Sequence, residues 1–314
     1  MNYVGPDLGF VLPVDKPSGP TSHDVVTMLR RALVTSKIGH TGTLDPFASG
    51  LLLMCVGYST RLSEYLVGLD KSYDAVALLG VSTTTEDAQG DVTDESRGWK
   101  CLTADQVDEV LNSFQGDLEQ IPPQFSAKKI KGVPMHQRAR RGEFVDLPAQ
   151  NIRVHQLELL GMDLPIVRFR VRCSSGTYVR SLARDIGDKL KVGAHLVELR
   201  RTSVGDFSVE DAVKVDQFSD GSRIEKRSID PLRAVGHLPS VEVSQIDVEK
   251  LACGKTIPFE DPVTSRLVAV SKEGILIAIA EAREGYLPPR KVFVQCGIVD
   301  GHTCPGSLMM LGAL

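Results

Sequence analysis

Residues 166–173, Ile-Val-Arg-Phe-Arg-Val-Arg-Cys, alternate without a break. Val167, Phe169, Val171 and Cys173 fall on one side, and Arg168, Arg170 and Arg172 on the other. A period of two marks a strand with one covered face, so a strand is predicted here. The same alternation sets Tyr73, Ala75, Ala77 and Leu79 against Asp74, Val76 and Leu78, predicting a second strand. Spacing becomes helical at Val25, Val26, Leu29 and Leu33, behind Ser22 as N-cap. It does so again at Val107, Val110, Leu111 and Phe114, with Gly116 as a stop, and at Val179, Leu182, Ile186 and Leu190, after the turn residues Ser174-Ser175-Gly176-Thr177. Residues 10–14 read as a short strand followed by a rigid turn, Asp15-Lys16-Pro17-Ser18-Gly19-Pro20. The unbroken apolar run 51–56 fits a buried strand or a buried helix segment, and periodicity does not choose between them. Residues 60–66 read as a short helix, 82–94 as a loop or turn, and Leu199-Arg200-Arg201-Thr202 as the entry to a further strand.

After Phe218 the pattern changes. Residues 219–240 are polar with Gly and Pro, as in a linker. Beyond them come a short helix at 247–252 closed by Gly254, a hairpin of 266–270 with 275–280 around Lys272-Glu273-Gly274, and a strand at 291–294. The chain thus divides into a large unit, 1–235, and a small β-rich unit, 236–314.

A length of 314 residues supports one large domain or two. The net charge of −4 announces no nucleic-acid partner, but its distribution is uneven. Between residues 125 and 142 lie Lys128, Lys129, Lys131, Arg138, Arg140 and Arg141 and no acid, so this stretch carries +6 against −10 for the remainder. A basic segment on an acidic body suits phosphate contact, and equally a solvated surface run. Six cysteines (55, 101, 173, 253, 296 and 304) show no CxxC spacing, which fits reduced thiols in the cytoplasm. His302 and Cys304 are two ligand types where a zinc site needs more, so no metal is expected. The longest apolar run is too short to cross a bilayer, and the N-terminus lacks a basic region followed by an apolar stretch. A soluble, cytoplasmic protein is expected. No G-x-x-x-x-G-K-[ST] or strand-linked G-x-G-x-x-G is present.

The chemistry concentrates in Gly39-His40-Thr41-Gly42-Thr43-Leu44-Asp45-Pro46. Proline restricts the residue before it to extended backbone, which holds Asp45 in place. The glycines let a ligand approach closely. A carboxylate so placed among hydrogen-bond donors suits a nucleophile or a base, although an isolated Asp-Pro is usually only a turn starter.

Followed by Phe47-Ala48-Ser49-Gly50, this run resembles the catalytic loop of the TruB family of pseudouridine synthases, and the likeness extends over residues 10–215. The resemblance implies an α+β fold, with a mixed, largely antiparallel sheet, flanking helices and a small C-terminal PUA-like RNA-binding domain. It implies isomerisation of uridine 55 in the T-loop of tRNA, with Asp45 as the catalytic carboxylate. Tyr73, in Lys71-Ser72-Tyr73, would be the active-site tyrosine. Arg180, in Gly176-Thr177-Tyr178-Val179-Arg180, would pair with the aspartate, and an opposite charge within hydrogen-bond reach favours the ionised form. Leu199 would line the base pocket, Lys16 of the N-terminal Lys16-Pro17 motif would be an RNA contact, and His40 would fill the space left by the base or touch the RNA backbone. Residues 125–150 resemble the family's inserted thumb, making Lys128, Lys129, Lys131 and Arg138 RNA contacts. Arg184 would bind phosphate or pair with Asp188. Two places depart from the family pattern: Met135-His136, where tyrosine is common, and residues 83–87.

The implied reaction breaks N1–C1′, turns the base and forms C5–C1′, so it needs no cofactor. Asp45 would attack C1′, add to C6 or remove the C2′ proton, and the sequence leaves the three open. Expected partners are tRNA alone, with no membrane or protein partner, and a monomer. Two other readings share the fold: a guide-RNA-dependent synthase, and a non-catalytic protein that binds and folds tRNA.

Overall fold

The computed structural model describes residues 9–126, 129–130, 133–139, 141, 143, 145–259, 266–299 and 302–310. A ten-stranded sheet organises the larger unit. Its main strands are β1 (Phe10–Lys16), β2 (Ile38–Thr41), β3 (Ser49–Val56), β4 (Lys71–Leu79), β5 (Gly116–Gln120), β6 (Gln150–Asp163), β7 (Ile166–Cys173) and β8 (Ala194–Val204). The order across the sheet is Val213–Lys214, β1, β3, β8, β4, β7, β6, β5, with β2 on β3 and Phe207–Ser208 on β8. The pairs β1 with Val213–Lys214 and β3 with β8 are parallel, and the others are antiparallel. This is the α+β, largely antiparallel architecture expected.

Helices α1 (Ser22–Leu33), α2 (Ala104–Asn112) and α3 (Val179–Lys189) bury Val25, Val26, Leu29, Val107, Leu111, Val179, Leu182 and Ile186 in one core with β4 and β7. Thr21, not Ser22, caps α1: it forms a reciprocal capping box with Asp24. Ser22 lies one residue inside, where its hydroxyl takes a different role described below. Thr103 and Gln106 make the same box on α2. Tyr178 at the start of α3 has no capping side chain of its own; Gln120 of β5 accepts from its N–H at 2.9 Å and donates to its carbonyl at 3.1 Å.

The run at 51–56 is strand β3, buried on both faces. Leu52, Met54 and Val56 enter the core beneath α1, while Leu51, Leu53 and Cys55 enter a second core on the opposite side. The stretch 60–66 is helical, as a 3₁₀ turn (Gly57–Leu62) running into a short α-helix (Ser63–Val67). Residues 82–94 hold the turn allowed by the sequence, closed by a short strand pair: Val81–Thr83 pairs with Val92–Glu95. Leu199–Thr202 lies well inside β8 rather than at its entry.

Residues 219–240 are not a linker. Asp220 caps a helix at Gly221–Arg227 that buries Ile224, and Asp230 caps a second at Pro231–Ala234. Between them Ile229 exchanges backbone hydrogen bonds with Val11 of β1 at 2.8 and 2.9 Å. The smaller unit is a four-stranded sheet in the order β9 (Ser240–Glu242), β10 (Leu267–Lys272), β11 (Ile275–Glu281), β12 (Pro289–Val292), with a helix at Gln245–Ala252. The strand expected at 291–294 is split at Phe293; Val294–Val299 pairs separately with His302–Met310. Among the described residues no helix is long and apolar enough to cross a membrane.

Candidate active site

The loop between β2 and β3 is clamped from three directions. Ser22 donates to the Leu44 carbonyl at 3.0 Å and accepts from its N–H at 2.9 Å, tying the loop to α1. The Gly19 N–H bonds the Pro46 carbonyl at 2.8 Å. Lys16, fully buried, donates from Nζ to the carbonyls of Pro17 (2.9 Å), Pro20 (2.8 Å) and Pro46 (3.3 Å). All three ammonium hydrogens are thereby used, so Lys16 supports the loop and does not face an RNA, against the binding role expected. Burial lowers its pKa to about 8, opposed by the Asp45 charge.

Asp45 emerges from this frame with its carboxylate part-exposed, and Arg180 meets it from the first turn of α3. Arg180 Nε donates to Asp45 Oδ2 at 2.8 Å. Its Nη1 donates to the Thr85 carbonyl at 2.8 Å and its Nη2 to the Phe125 carbonyl at 2.9 Å, with Asp87 at 3.7 Å. The buried guanidinium therefore fixes the carboxylate, the 84–91 turn and the root of the basic insertion at once. Asp87 is itself held by the Thr85 hydroxyl at 2.6 Å and the Gln89 N–H at 3.0 Å.

Tyr73 and Leu199 join them through sheet register. On β4 and β8, Tyr73 lies opposite Arg201 and Ala75 opposite Leu199, so these side chains share a face. Asp45, Tyr73, Arg180, Leu199, Lys71 and Arg201 line one cavity of about 430 Å³. Burial raises the Tyr73 phenol pKa, and the neighbouring Arg201 opposes the rise. On the other side of Asp45 and Arg180, a second cavity of about 500 Å³ is lined by His23, His40, Asp87 and Phe125. His40 Nδ1 is buried there without a hydrogen-bond partner. Burial lowers the His40 pKa, reinforced by Arg201 and then His23, so its imidazole is neutral at neutral pH.

Arg184 does not pair with Asp188. It forms ion pairs with Glu86 and with Asp185 (2.7 Å) and donates to the Ile121 carbonyl at 3.2 Å. Glu86 has a positive φ of 62° and also accepts from Ser181 at 2.7 Å. Burial raises its pKa, opposed by Arg184. Arg184 thus anchors the turn carrying Asp87, and its charge is already engaged. In the basic segment, Arg138 is half-buried and pairs with Glu143 at 3.7 Å, an acid one residue beyond the acid-free run. Lys129 lies in a two-residue strand, Lys129–Ile130, paired with Val133–Pro134, while Lys128 and Lys131 fall outside the described residues.

Sequence reasoning passed over Lys71, Arg201, Asp87, Ser22 and Glu86. Two of these had a usable signal: Lys71 is two residues from Tyr73, and Arg201 two from Leu199, which places each pair on one strand face. A larger cavity, about 600 Å³, lies away from Asp45, and its Asp70 is paired with His155 at 3.0 Å and Arg172 at 3.5 Å. Among the described residues no cluster of three metal-ligating side chains occurs.

Known proteins place this geometry. The family model for the N-terminal domain of TruB family pseudouridylate synthases matches residues 30–179, and that for the C-terminal domain of tRNA pseudouridylate synthase B matches 180–235. The tRNA pseudouridine synthase B of Synechococcus sp. (strain CC9311) is 41% identical over 297 residues, spanning 92% of this chain and 99% of that protein. That of Corynebacterium efficiens is 42% identical over 292 residues, spanning 90% and 95%. Among solved structures, a chain of a Cbf5–Nop10–Gar1 complex superposes with a TM-score of 0.72 at 29% identity, covering 93% of this chain and 86% of that one. A chain of an H/ACA RNP bound to a substrate RNA containing 2′-deoxyuridine gives 0.70 at 27%, covering 91% and 85%. The chain belongs to the TruB family of pseudouridine synthases.

Proposed function

We propose that this protein converts uridine to pseudouridine in tRNA, and that its target is uridine 55 in the T-loop. One observation carries the reading: a carboxylate on a clamped loop, Asp45, is ion-paired at 2.8 Å to the buried Arg180 at the edge of a cavity walled by Tyr73 and Leu199. The curated relatives, each a tRNA pseudouridine synthase B, support the substrate class.

Asp45, Tyr73 and Arg180 are the catalytic residues in this reading. The target base leaves its stack, at a cost of a few kcal/mol, and enters the Asp45 cavity. Contact with the Tyr73 ring returns about 1–3 kcal/mol, and Leu199 excludes water from the other side. His40, neutral and with its Nδ1 unpartnered in the adjoining cavity, takes the place the base vacated. Asp45 then acts at C1′, C6 or C2′ while Arg180 holds it in line. The reaction is an isomerisation that consumes neither redox equivalents nor a transferred group, so no cofactor enters. The basic segment with Lys128, Lys129, Lys131 and Arg138 closes on the T-stem-loop, and the C-terminal β unit acts as a PUA-like extension of the RNA surface. The protein works in the cytoplasm as a monomer, without protein partners.

The test is incubation of purified protein with unmodified tRNA transcript, followed by mapping of pseudouridine. Asp45→Asn should abolish product while leaving tRNA affinity within a few-fold. Product from that variant at a comparable rate removes the catalytic assignment. No product from the wild type, with tRNA folding assistance intact, favours the non-catalytic reading. The likeness to a Cbf5-containing complex gives the guide-dependent branch its weight; turnover of a bare T-stem-loop by the isolated chain excludes it.

A further inference from the structure

The Asp45 cavity carries more positive charge than Asp45 balances. Lys71 and Arg201 both line it, at 6% and 1% exposure. Among the described residues neither has a carboxylate at ion-pair distance. Asp45 is engaged by Arg180, Asp87 also faces Arg180, and Asp70 is taken up by His155 and Arg172. Backbone carbonyls hold the two cations, and the Tyr73 hydroxyl also hydrogen-bonds Arg201. Lys71 Nζ donates to the carbonyls of Val67 (2.7 Å) and Leu69 (2.5 Å). Arg201 Nε donates to the Leu51 carbonyl at 2.6 Å and Nη2 to the Gly42 carbonyl at 3.0 Å. These carbonyl oxygens take two of the three Lys71 hydrogens and two of the five on Arg201, and they leave two net charges under the base pocket, an unfavourable arrangement unless an anion arrives to meet them.

We infer that Lys71 and Arg201 stabilise the negative charge that develops on the uracil ring during the isomerisation, an inference resting on the proposed conversion of uridine. The charge appears whichever route Asp45 takes. If Asp45 attacks C1′, a C1′–O bond forms and the C1′–N1 electron pair departs with the base as uracil anion. If Asp45 removes the C2′ proton, the C–H pair becomes a C1′=C2′ double bond and the base again leaves with the C1′–N1 pair. If Asp45 adds to C6, the C5=C6 pair moves onto C5 and O4, and the C1′–N1 pair stays on the ring as C1′ leaves N1 for C5. In each case C5 of the anionic ring then bonds C1′, Asp45 is released or returns its proton, C5 loses a proton and N1 gains one. In each route Asp45, as an ester or a protonated acid, has passed its negative charge to the ring, and fixed cations aimed where that charge develops stabilise it.

Lys71 gives the inference a pH signature. Burial lowers its pKa to about 8, helped by Arg201 from β8 and opposed by Cys173 from β7 and by Asp70 ahead of β4. Cys173 is itself pushed up to about 11 and stays neutral in this range. Lys71 therefore loses its charge, and the uracil its support, as pH rises through about 8. Lys16 titrates in the same window, so an alkaline fall alone does not identify the group.

Single-turnover rates on a T-stem-loop RNA separate the two. Lys71→Met should lower the rate on the order of 10²-fold while RNA affinity changes little. Lys71→Arg keeps a permanent charge, so above pH 8 its rate should fall less than the wild type's, whatever its absolute value. Replacing the target by 5-fluorouridine, whose fluorine withdraws charge from the ring, should shrink the Lys71→Met defect about tenfold, measured as consumption of the nucleoside. An equal defect on both substrates, or an alkaline fall in Lys71→Arg as large as the wild type's, assigns Lys71 a structural role and overturns the inference. Should Lys71→Met fail to fold by thermal melting, the Lys71→Arg profile decides alone. An inactive wild type removes the proposed function as well, whereas an active wild type with either adverse result removes this inference only.

Discussion

Gly50 shows how closely the backbone is fitted around Arg201. Its φ is +100°, and a Cβ there would sit 2.2 Å from the Arg201 carbonyl oxygen and 2.7 Å from its nitrogen. Gly50→Ala should therefore destabilise by about 1–3 kcal/mol from overpacking plus about 1–2 kcal/mol from left-handed strain, read as a lower urea midpoint. Because β3 and β8 meet at this point, the same change should displace Arg201 and slow pseudouridine formation. An unchanged midpoint would mean the strands can separate here without cost. Asp45 and Arg180 were legible in the sequence because their flanking residues form long, distinctive runs. Lys71 and Arg201 were passed over despite sharing a strand face with Tyr73 and Leu199, since a charged residue in an alternating strand reads as solvent-facing. What satisfies them is a set of carbonyls, including those of Leu51 and Gly42, that no local pattern connects to Arg201.

Among the elements, those with an unbroken period were readable and those with a phase change were not. Strand β7 keeps strict alternation and was found at its full extent. Strand β6, its neighbour, is longer, yet its register slips between Val154 and Gln156 and again between Leu159 and Gly161. Each bulge moves the buried face, so Ile152 and Val154 are out of phase with Leu157 and Leu159, and a period-two reading fails. Arg184 was misread for another reason: tertiary contact brings it to Glu86 in the 84–91 turn, which converts an expected phosphate ligand into an anchor. The basic insertion is affected similarly by Glu143. Neutralising Lys128, Lys129 and Lys131 should flatten the salt dependence of tRNA binding by about 0.7–0.9 in log–log slope for each phosphate left without its lysine. Arg138, already paired and half-buried, should contribute less than any of the three. A slope unchanged by the triple substitution would return the segment to a solvated surface run.

Across the whole molecule, the two units share a core that the sequence boundary at residue 235 conceals. Leu51, Leu53 and Cys55 on the far face of β3 pack with Val11, Leu62 and Leu66, and against Ala269, Leu276, Ile279 and Phe293 of the C-terminal unit. That double burial is why 51–56 is continuously apolar, as strands covered on both faces are. Ala234 and Val235, at the expected boundary, lie inside the same cluster. Polar contacts reinforce it: Arg61 donates to the Val292 carbonyl at 2.6 Å and lies over the Phe293 ring, and Lys291 donates to the Arg61 carbonyl at 2.9 Å. The C-terminal sheet is thus a structural cover for the strand that delivers Gly50 to Arg201. Burying an aliphatic side chain contributes about 1.5–3 kcal/mol against a total stability of about 5–15 kcal/mol, so uncovering Leu51, Leu53, Leu62 and Leu66 removes a large share. A chain ended after residue 239 should have a much lower urea midpoint or aggregate on light scattering, and the intact protein should unfold in one transition. A truncated chain that keeps the full midpoint and still modifies the T-loop would show the C-terminal sheet to be a detachable RNA-binding module.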